Sequence, residues 1–313
     1  MTGTDLAREP LPEPPPAATE PAAPGEAEPR RLGTPFLVLQ FFLFPMAIVA
    51  VCVGVFVVFG LIAREDKNAR QYLEEVRRGG GGIFGDNRRW HAAYQLSQVL
   101  LDGKDPALRD PQFVSDVLAV FAGTRNDDPK VRRYLAVTLG RLRDRRAVPA
   151  LLAAATGQES GADPDTQIYA VVALGAIGDP STLPEIVKLA PSSDAALRKA
   201  VAYALGAMPS QESRAALVAL LGDPVEDVRW NAALALARRG DVAAAPVLLA
   251  MMDRAHMQSV AGLNDDERGA TMLEAIRAAR VVPDPALRAA LERLRGADPS
   301  LQVRAAAAAA LGP

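Results

Sequence analysis

Most enzyme sites are assembled from histidine, cysteine and paired carboxylates, and this chain has few of them, widely scattered. His91 and His256 stand far apart and are followed by Ala92 and Met257, so neither begins a His-Glu or H-E-x-x-H metal motif. Both are expected to be surface or helix-flank residues. The single cysteine, Cys52, lies inside an uncharged apolar run that disfavours a thiolate, and one cysteine forms no disulfide framework or Cys-rich zinc site. Asp265-Asp266-Glu267 could be drawn as a metal or acid–base cluster. It follows Asn264 and precedes a helical run, where the helix dipole favours cap and first-turn negative charge. The glycines at 79–82 lack the Lys-Ser/Thr of a phosphate loop, and neither a G-x-S-x-G elbow nor a dinucleotide fingerprint occurs. The expectation is no enzyme, with no catalytic, cofactor-binding or metal residues and no cofactor.

Charge carries the remaining chemistry. The 313 residues hold 35 Lys/Arg and 37 Asp/Glu, a net of −2, which argues against a nucleic-acid partner. The distribution is uneven. Residues 64–150 hold 17 basic and 12 acidic side chains, net +5, and residues 151–313 hold 15 and 19, net −4. Arg64, Lys67, Arg70, Arg77 and Arg78 follow the apolar run and are expected to contact an anionic membrane surface. Arg141, Arg143, Arg145 and Arg146 form the densest basic cluster farther on. It is a candidate docking site for a partner protein, or a solvated turn between helices.

These residues sit on a chain of sharply changing composition. Residues 1–33 are rich in Pro, Ala and Glu, with Pro-Pro-Pro at 14–16, and are expected to be a disordered tail. Phe36 to Ile62 carries no charge and holds six of the nine Phe. It is about 40 Å long as a helix, more than the ~30 Å of a bilayer core, so residues 34–63 are expected to form one transmembrane helix. Ala50 and Gly54 form a small-xxx-small pair that could join two such helices in self-association. More Lys/Arg lie on the C-terminal side, which places that side in the cytoplasm. The expected location is the inner (plasma) membrane, single-pass. Ala69, Tyr72, Leu73 and Val76 continue a helical pattern, so residues 64–85 are expected to be a juxtamembrane helix and a Gly-rich linker.

The remainder repeats. DPKVRRYLAVTLG begins at Asp128, DPVEDVRWNAALALA at Asp223 and DPSLQVRAAAAAALG at Asp298, with looser copies from Asn87, Asp165 and Asp194 and a degenerate one around Glu267 to Ala278. Asp caps each helix, Pro suits its first turn, and alanines allow close helix approach. The closing Gly is expected to take the left-handed conformation that ends the helix. Shorter second helices follow, from Ala147, Leu183 and Ser213. Such pairs bury their apolar faces only by stacking, so residues 86–313 are expected to form an all-α solenoid of about six pairs and a final helix. That last helix lacks a partner, and its end is expected to be covered by another protein or another copy. Met251, Met252 and Met257 lie in an over-long stretch and are expected to be core.

D-P-x-V-R followed by A-x-A-L-G, at Asp128, Asp223 and Asp298, resembles the short HEAT-like repeats named after phycobilisome lyases, over about residues 85–313. The resemblance implies a right-handed stack of antiparallel helix pairs with the second helices lining a concave face. On it, Arg132, Arg229 and Arg304 are expected to pair with a neighbouring repeat's Asp. Span and repeats together resemble single-pass bacterial HEAT-repeat proteins. The expected function is a membrane-anchored scaffold or adaptor binding a protein partner, in a membrane complex or otherwise, through the solenoid. The alternative is a HEAT-repeat enzyme or cofactor lyase. Deoxyhypusine hydroxylase of that kind implies paired His-Glu dipeptides holding two irons, and bilin lyases share the repeats alone.

Overall fold

The computed structural model describes residues 43–62, 67–78, 85–125, 128–157 and 163–312. The expected tail, the start of the apolar run, Arg64 and the glycines at 79–82 lie outside them. The described residues contain no strand, and the chain divides into two compact units at Asp66 and Lys67.

In the first unit, α1 (Phe44–Ile62) is a 19-residue helix without a charged side chain. Phe44, Met46, Val49, Val51 and Val55 are all more than half exposed, so apolar side chains occupy every side of it. At 1.5 Å per residue it is about 28 Å long, just short of a bilayer core. Among the described residues no helix is long and apolar enough to cross a membrane.

The second unit runs through α2 (Ala69–Arg78), α3 (Gly85–Val99), α4 (Pro111–Gly123), α5 (Pro129–Leu142), α6 (Val148–Ala155), α7 (Pro164–Ile177), α8 (Leu183–Lys188), α9 (Ala195–Ala207), α10 (Gln211–Leu220), α11 (Glu226–Ala237), α12 (Ala245–Met252), α13 (Arg254–Ser259), α14 (Asp265–Ala279), α15 (Pro285–Ala297) and α16 (Leu301–Leu311). The first helices α3, α5, α7, α9 and α11 stack side by side, and α14 and α16 extend that layer; the second helices α4, α6, α8, α10, α12 and α15 form another. The expected linker helix is part of this unit. Ala69, Leu73 and Val76 of α2 are buried against α3 and α4, and the compact unit begins at Lys67. The over-long stretch holds α13, and Met251, Met252 and Met257 are buried there. Asn264 and Glu267 form a reciprocal capping box on α14, which accounts for that acidic cluster as capping.

Two expectations about repeat residues are corrected by the packing. Gly140, Gly175 and Gly206 do not end their helices; each lies inside one and faces the next first helix. A Cβ on Gly140 would sit 2.8 Å from Ala173 Cα, one on Gly175 2.6 Å from Ala204 Cα, and one on Gly206 2.8 Å from Ala235 Cβ. Their hydrogen side chains let backbones touch. The left-handed turn falls later, at Arg143 (φ 52) and Gly178 (φ 70). The second helices touch one another over far fewer residues than the first helices do.

The second correction concerns the arginines. Arg132 donates to the carbonyl of Phe121 at 2.7 Å, Arg229 to that of Asp223, and Arg304 to that of Asp298 at 2.9 Å. Gln167, Arg198 and Arg268 stand four residues past their own helix caps, as Arg132 does, and donate to Ala155, Ser192 and Met257 carbonyls. The position therefore satisfies carbonyls left open where the preceding second helix and its turn end. Bridging to the next repeat falls to Arg198, which stands at this same position and does both, and to arginines at other positions. Arg133 grips Asp163 at 2.8 Å, Arg198 grips Asp223 at 2.6 Å and Arg254 grips Asp298 at 2.6 Å. Asp223 and Asp298, expected as caps, lie one turn before their helices, and the caps are Val225 and Ser300.

Candidate functional site

The basic residues expected at a membrane surface are engaged within the solenoid. Lys67 bonds Glu75, Arg70 pairs with Asp110, and Arg77 reaches Glu74 at 3.0 Å and Asp116 at 3.6 Å. Arg78 is exposed at the end of α2. The second basic cluster does not converge. Arg146 is held by Asp144 and donates to Ser115 Oγ and Pro111 O at 3.1 and 3.0 Å. Arg145 points to Asp179 at 3.5 Å, and Arg143 is exposed in the left-handed turn. Only Arg141 faces the first-helix layer, partly buried beside Tyr94. Ala50 and Gly54 sit on the exposed surface of α1, with open space around Gly54.

The side chains that do assemble are aromatic. Within each first helix, positions three, seven, eight and eleven past the cap turn into the core, as Val131, Leu135, Ala136 and Leu139 do in α5. Positions six and nine then face outward, and four of the protein's five tyrosines occupy this outer row. Tyr94 of α3 meets Tyr134 of α5 edge to face at 5.2 Å. Trp90 lies 6.5 Å from Tyr134 and stacks on His91 at 3.7 Å. Lys130 Nζ sits 5.3 Å over the Trp90 ring. Tyr169 holds in α7 the position that Tyr134 holds in α5, and Tyr203 lies one turn along in α9; they are 36% and 42% exposed. The signal was present in the sequence as tyrosines recurring at near-repeat intervals.

Electrostatics fix this face in place. Arg133 takes both oxygens of Asp163 and also Asp165. That pairing holds the Asp163 carboxyl below the usual range, helped by the Thr166 N–H and hydroxyl. Arg198 does the same to Asp223, helped by the Val225 N–H. Arg141 differs. Its Nη1 is closed to solvent without a hydrogen-bond partner, and burial lowers its affinity for a proton, with only Tyr94 opposing.

A concavity of about 720 Å³ lies between α12 and α15. Its walls include Leu249, Met252, His256 and Leu294, and Arg254 and Asp298 clasp one another there. His256 Nε2 lies 3.5 Å from Glu226. Among the described residues no three His, Cys, Asp or Glu side chains gather to hold a metal ion.

A family model for HEAT repeats matches residues 117–192, 157–227 and 183–262. The protein is a HEAT-like repeat protein. Among curated proteins none matches the chain. Solved structures similar to it include the CpcE–CpcF complex of phycocyanin lyase from Nostoc, at 18% identity and a TM-score of 0.51, covering 78% of this chain and 87% of that one. The Escherichia coli protein YibA matches at 18% identity and 0.48, covering 77% and 81%. Human deoxyhypusine hydroxylase matches at 18% and 0.32, covering 81% and 97%. At that identity the lyase likeness shows the fold alone.

Proposed function

We propose that this protein is a membrane-anchored scaffold or adaptor that binds a partner protein through the outward row of its first helices. The observation that carries the reading is an aromatic row along stacked first helices, with Tyr169 and Tyr203 exposed and the half-buried Tyr94 and Tyr134 meeting edge to face. Tyr, Trp and Arg dominate binding energy at protein interfaces, because they offer large contact area with little conformational entropy to lose. Anchoring is supported by the charge-free run from Phe36 to Ile62 and by a helix apolar on every side, which suits lipid better than water. The excess of Lys/Arg after the run favours a cytoplasmic solenoid at the inner membrane.

The test is capture from membranes under gentle detergent, after an alkaline carbonate wash. The full chain should stay with the washed membrane and retain a specific partner. Tyr169→Ala with Tyr203→Ala, both at exposed sites, should lose that partner at an unchanged unfolding midpoint. A chain released by carbonate would overturn the anchor, and a partner kept by the tyrosine variant would overturn the face. The alternative, a HEAT-repeat enzyme or cofactor lyase, predicts iron or a chromophore in the purified protein.

A further inference from the structure

The seam between first helices has the same two residues at three successive junctions. The glycine twelve residues past one helix cap meets the alanine ten past the next, as Gly140 with Ala173, Gly175 with Ala204 and Gly206 with Ala235. At the fourth junction, from α11 to α14, both are gone. Ala237 stands twelve past the α11 cap, and the exposed Glu274 stands ten past the α14 cap. Accordingly α11 touches α14 over far fewer residues than it touches α9. Arg198 of α9 clasps Asp223 ahead of α11, whereas Arg229 of α11 turns back to the Asp223 carbonyl and to Glu226. The junction is bridged instead by the inserted helix α13. His256 Nε2 lies 3.5 Å from Glu226 at the start of α11. Arg254 takes both oxygens of the buried Asp298, just ahead of α16, at 2.7 and 2.6 Å, and Arg268 of α14 donates to the Met257 carbonyl at 3.0 Å. The core here is also unlike that of the other junctions. Met251, Met252, Met257 and Met272, four of the seven methionines, are buried in α12, α13 and α14. Unbranched thioether side chains repack where branched ones lock.

We propose that the solenoid carries a latched joint at this junction: the block α14–α16 turns on α12 against the helices before it, and α13 is the strap that holds the joint shut through Arg254 and Asp298. The second helix α12 packs on both α14 and α15, which makes it the pivot, while the first-helix side lacks the close backbone contact that fixes the other junctions. Hinge closure of this kind needs two rigid bodies and a few contacts that exist in only one arrangement. A junction with few packed contacts opens at a lower free energy than its neighbours. The clasp decides the balance, because Asp298 is buried and loses its counter-charge when Arg254 leaves.

The test is double electron–electron resonance between spin labels on the full chain in nanodiscs, with Cys52→Ser as background. Ala196→Cys with Asp266→Cys, both at exposed sites, spans the Gly206 seam and the fourth junction; Lys130→Cys with Ala196→Cys, also exposed, spans two intact seams. In the otherwise unchanged chain both pairs should give single narrow distances. Arg254→Gln, and Arg254→Met with Asp298→Asn, should lengthen and broaden the Ala196–Asp266 distances and leave Lys130–Ala196 as it was. Ala237→Gly with Glu274→Ala rebuilds the missing seam and should narrow the distances again in the Arg254→Gln chain. No change in either pair would overturn the strap. Equal broadening of both pairs would overturn the joint, because the whole stack has then loosened. Broad distances that survive the rebuilt seam would overturn the missing Gly–Ala contact as the origin of the joint.

Discussion

At the scale of single residues, the repeat signature divides into parts with separate duties. The arginine of D-P-x-V-R looks like an ion-pair former in sequence, because Asp recurs in every copy. In the structure it is a cap for the helix before it. Arg132 is buried, donates to Phe121 O and packs 4.1 Å over the Phe121 ring. Replacing it by Ala leaves a buried carbonyl less satisfied and opens a gap. Arg132→Ala should cost about 1–3 kcal/mol, readable as a lower chemical-denaturation midpoint, whereas Arg143→Ala, at an exposed site, should change it little. Sequence reading located Arg132 but did not foresee the carbonyl it caps. A backbone carbonyl eleven residues upstream leaves no mark in residue identity, and Asp163, the carboxylate nearby in the next repeat, is taken by Arg133.

At the scale of elements, small residues set the spacing of the first helices. Gly175 is inside α7, and its missing Cβ would stand 2.6 Å from the Ala204 backbone. Gly269 is inside α14 with nothing within 4 Å. Ala is the better helix former by about 1 kcal/mol, so propensity alone raises stability at both positions. Contact with a neighbouring backbone cannot be relieved by a rotamer change, and overpacking costs about 1–3 kcal/mol. Gly175→Ala should therefore lower the thermal midpoint, while Gly269→Ala raises it. Equal shifts in one direction would show that the first-helix spacing is not set by glycine. The helix pairs, the Asp128 and Asp194 caps and the buried methionines were legible from periodicity and composition. The packing of α2 was not, because it borders a glycine run and reads as free of the stack until Leu73 and Val76 are seen buried. Nor was the close approach of the first helices at Gly140, Gly175 and Gly206, which is a property of helix pairs rather than of either sequence segment. The acidic cluster at Asp265 was read correctly because Asn264 and Glu267 make a local motif.

At the scale of the whole molecule, a repeat stack divides its labour between layers. Its second helices carry short apolar segments that close the core, and its first helices carry both the tight Gly–Ala seams and an outward aromatic row. Positions buried against the next repeat are confined to small residues, which leaves the outward positions free to vary without disturbing the stack. The central claim is that this outward row is where the partner binds. A photo-crosslinking benzoyl-phenylalanine placed singly at Tyr134, Tyr169 and Tyr203, and for comparison at Val218 of α10 and Val242 before α12, tests it most directly. These comparison sites are also exposed. Illumination of membranes holding the full chain should give one shared adduct from the three tyrosine positions and none from the two valines. Adducts from Val218 and Val242 alone would contradict the account and move the working face to the second helices.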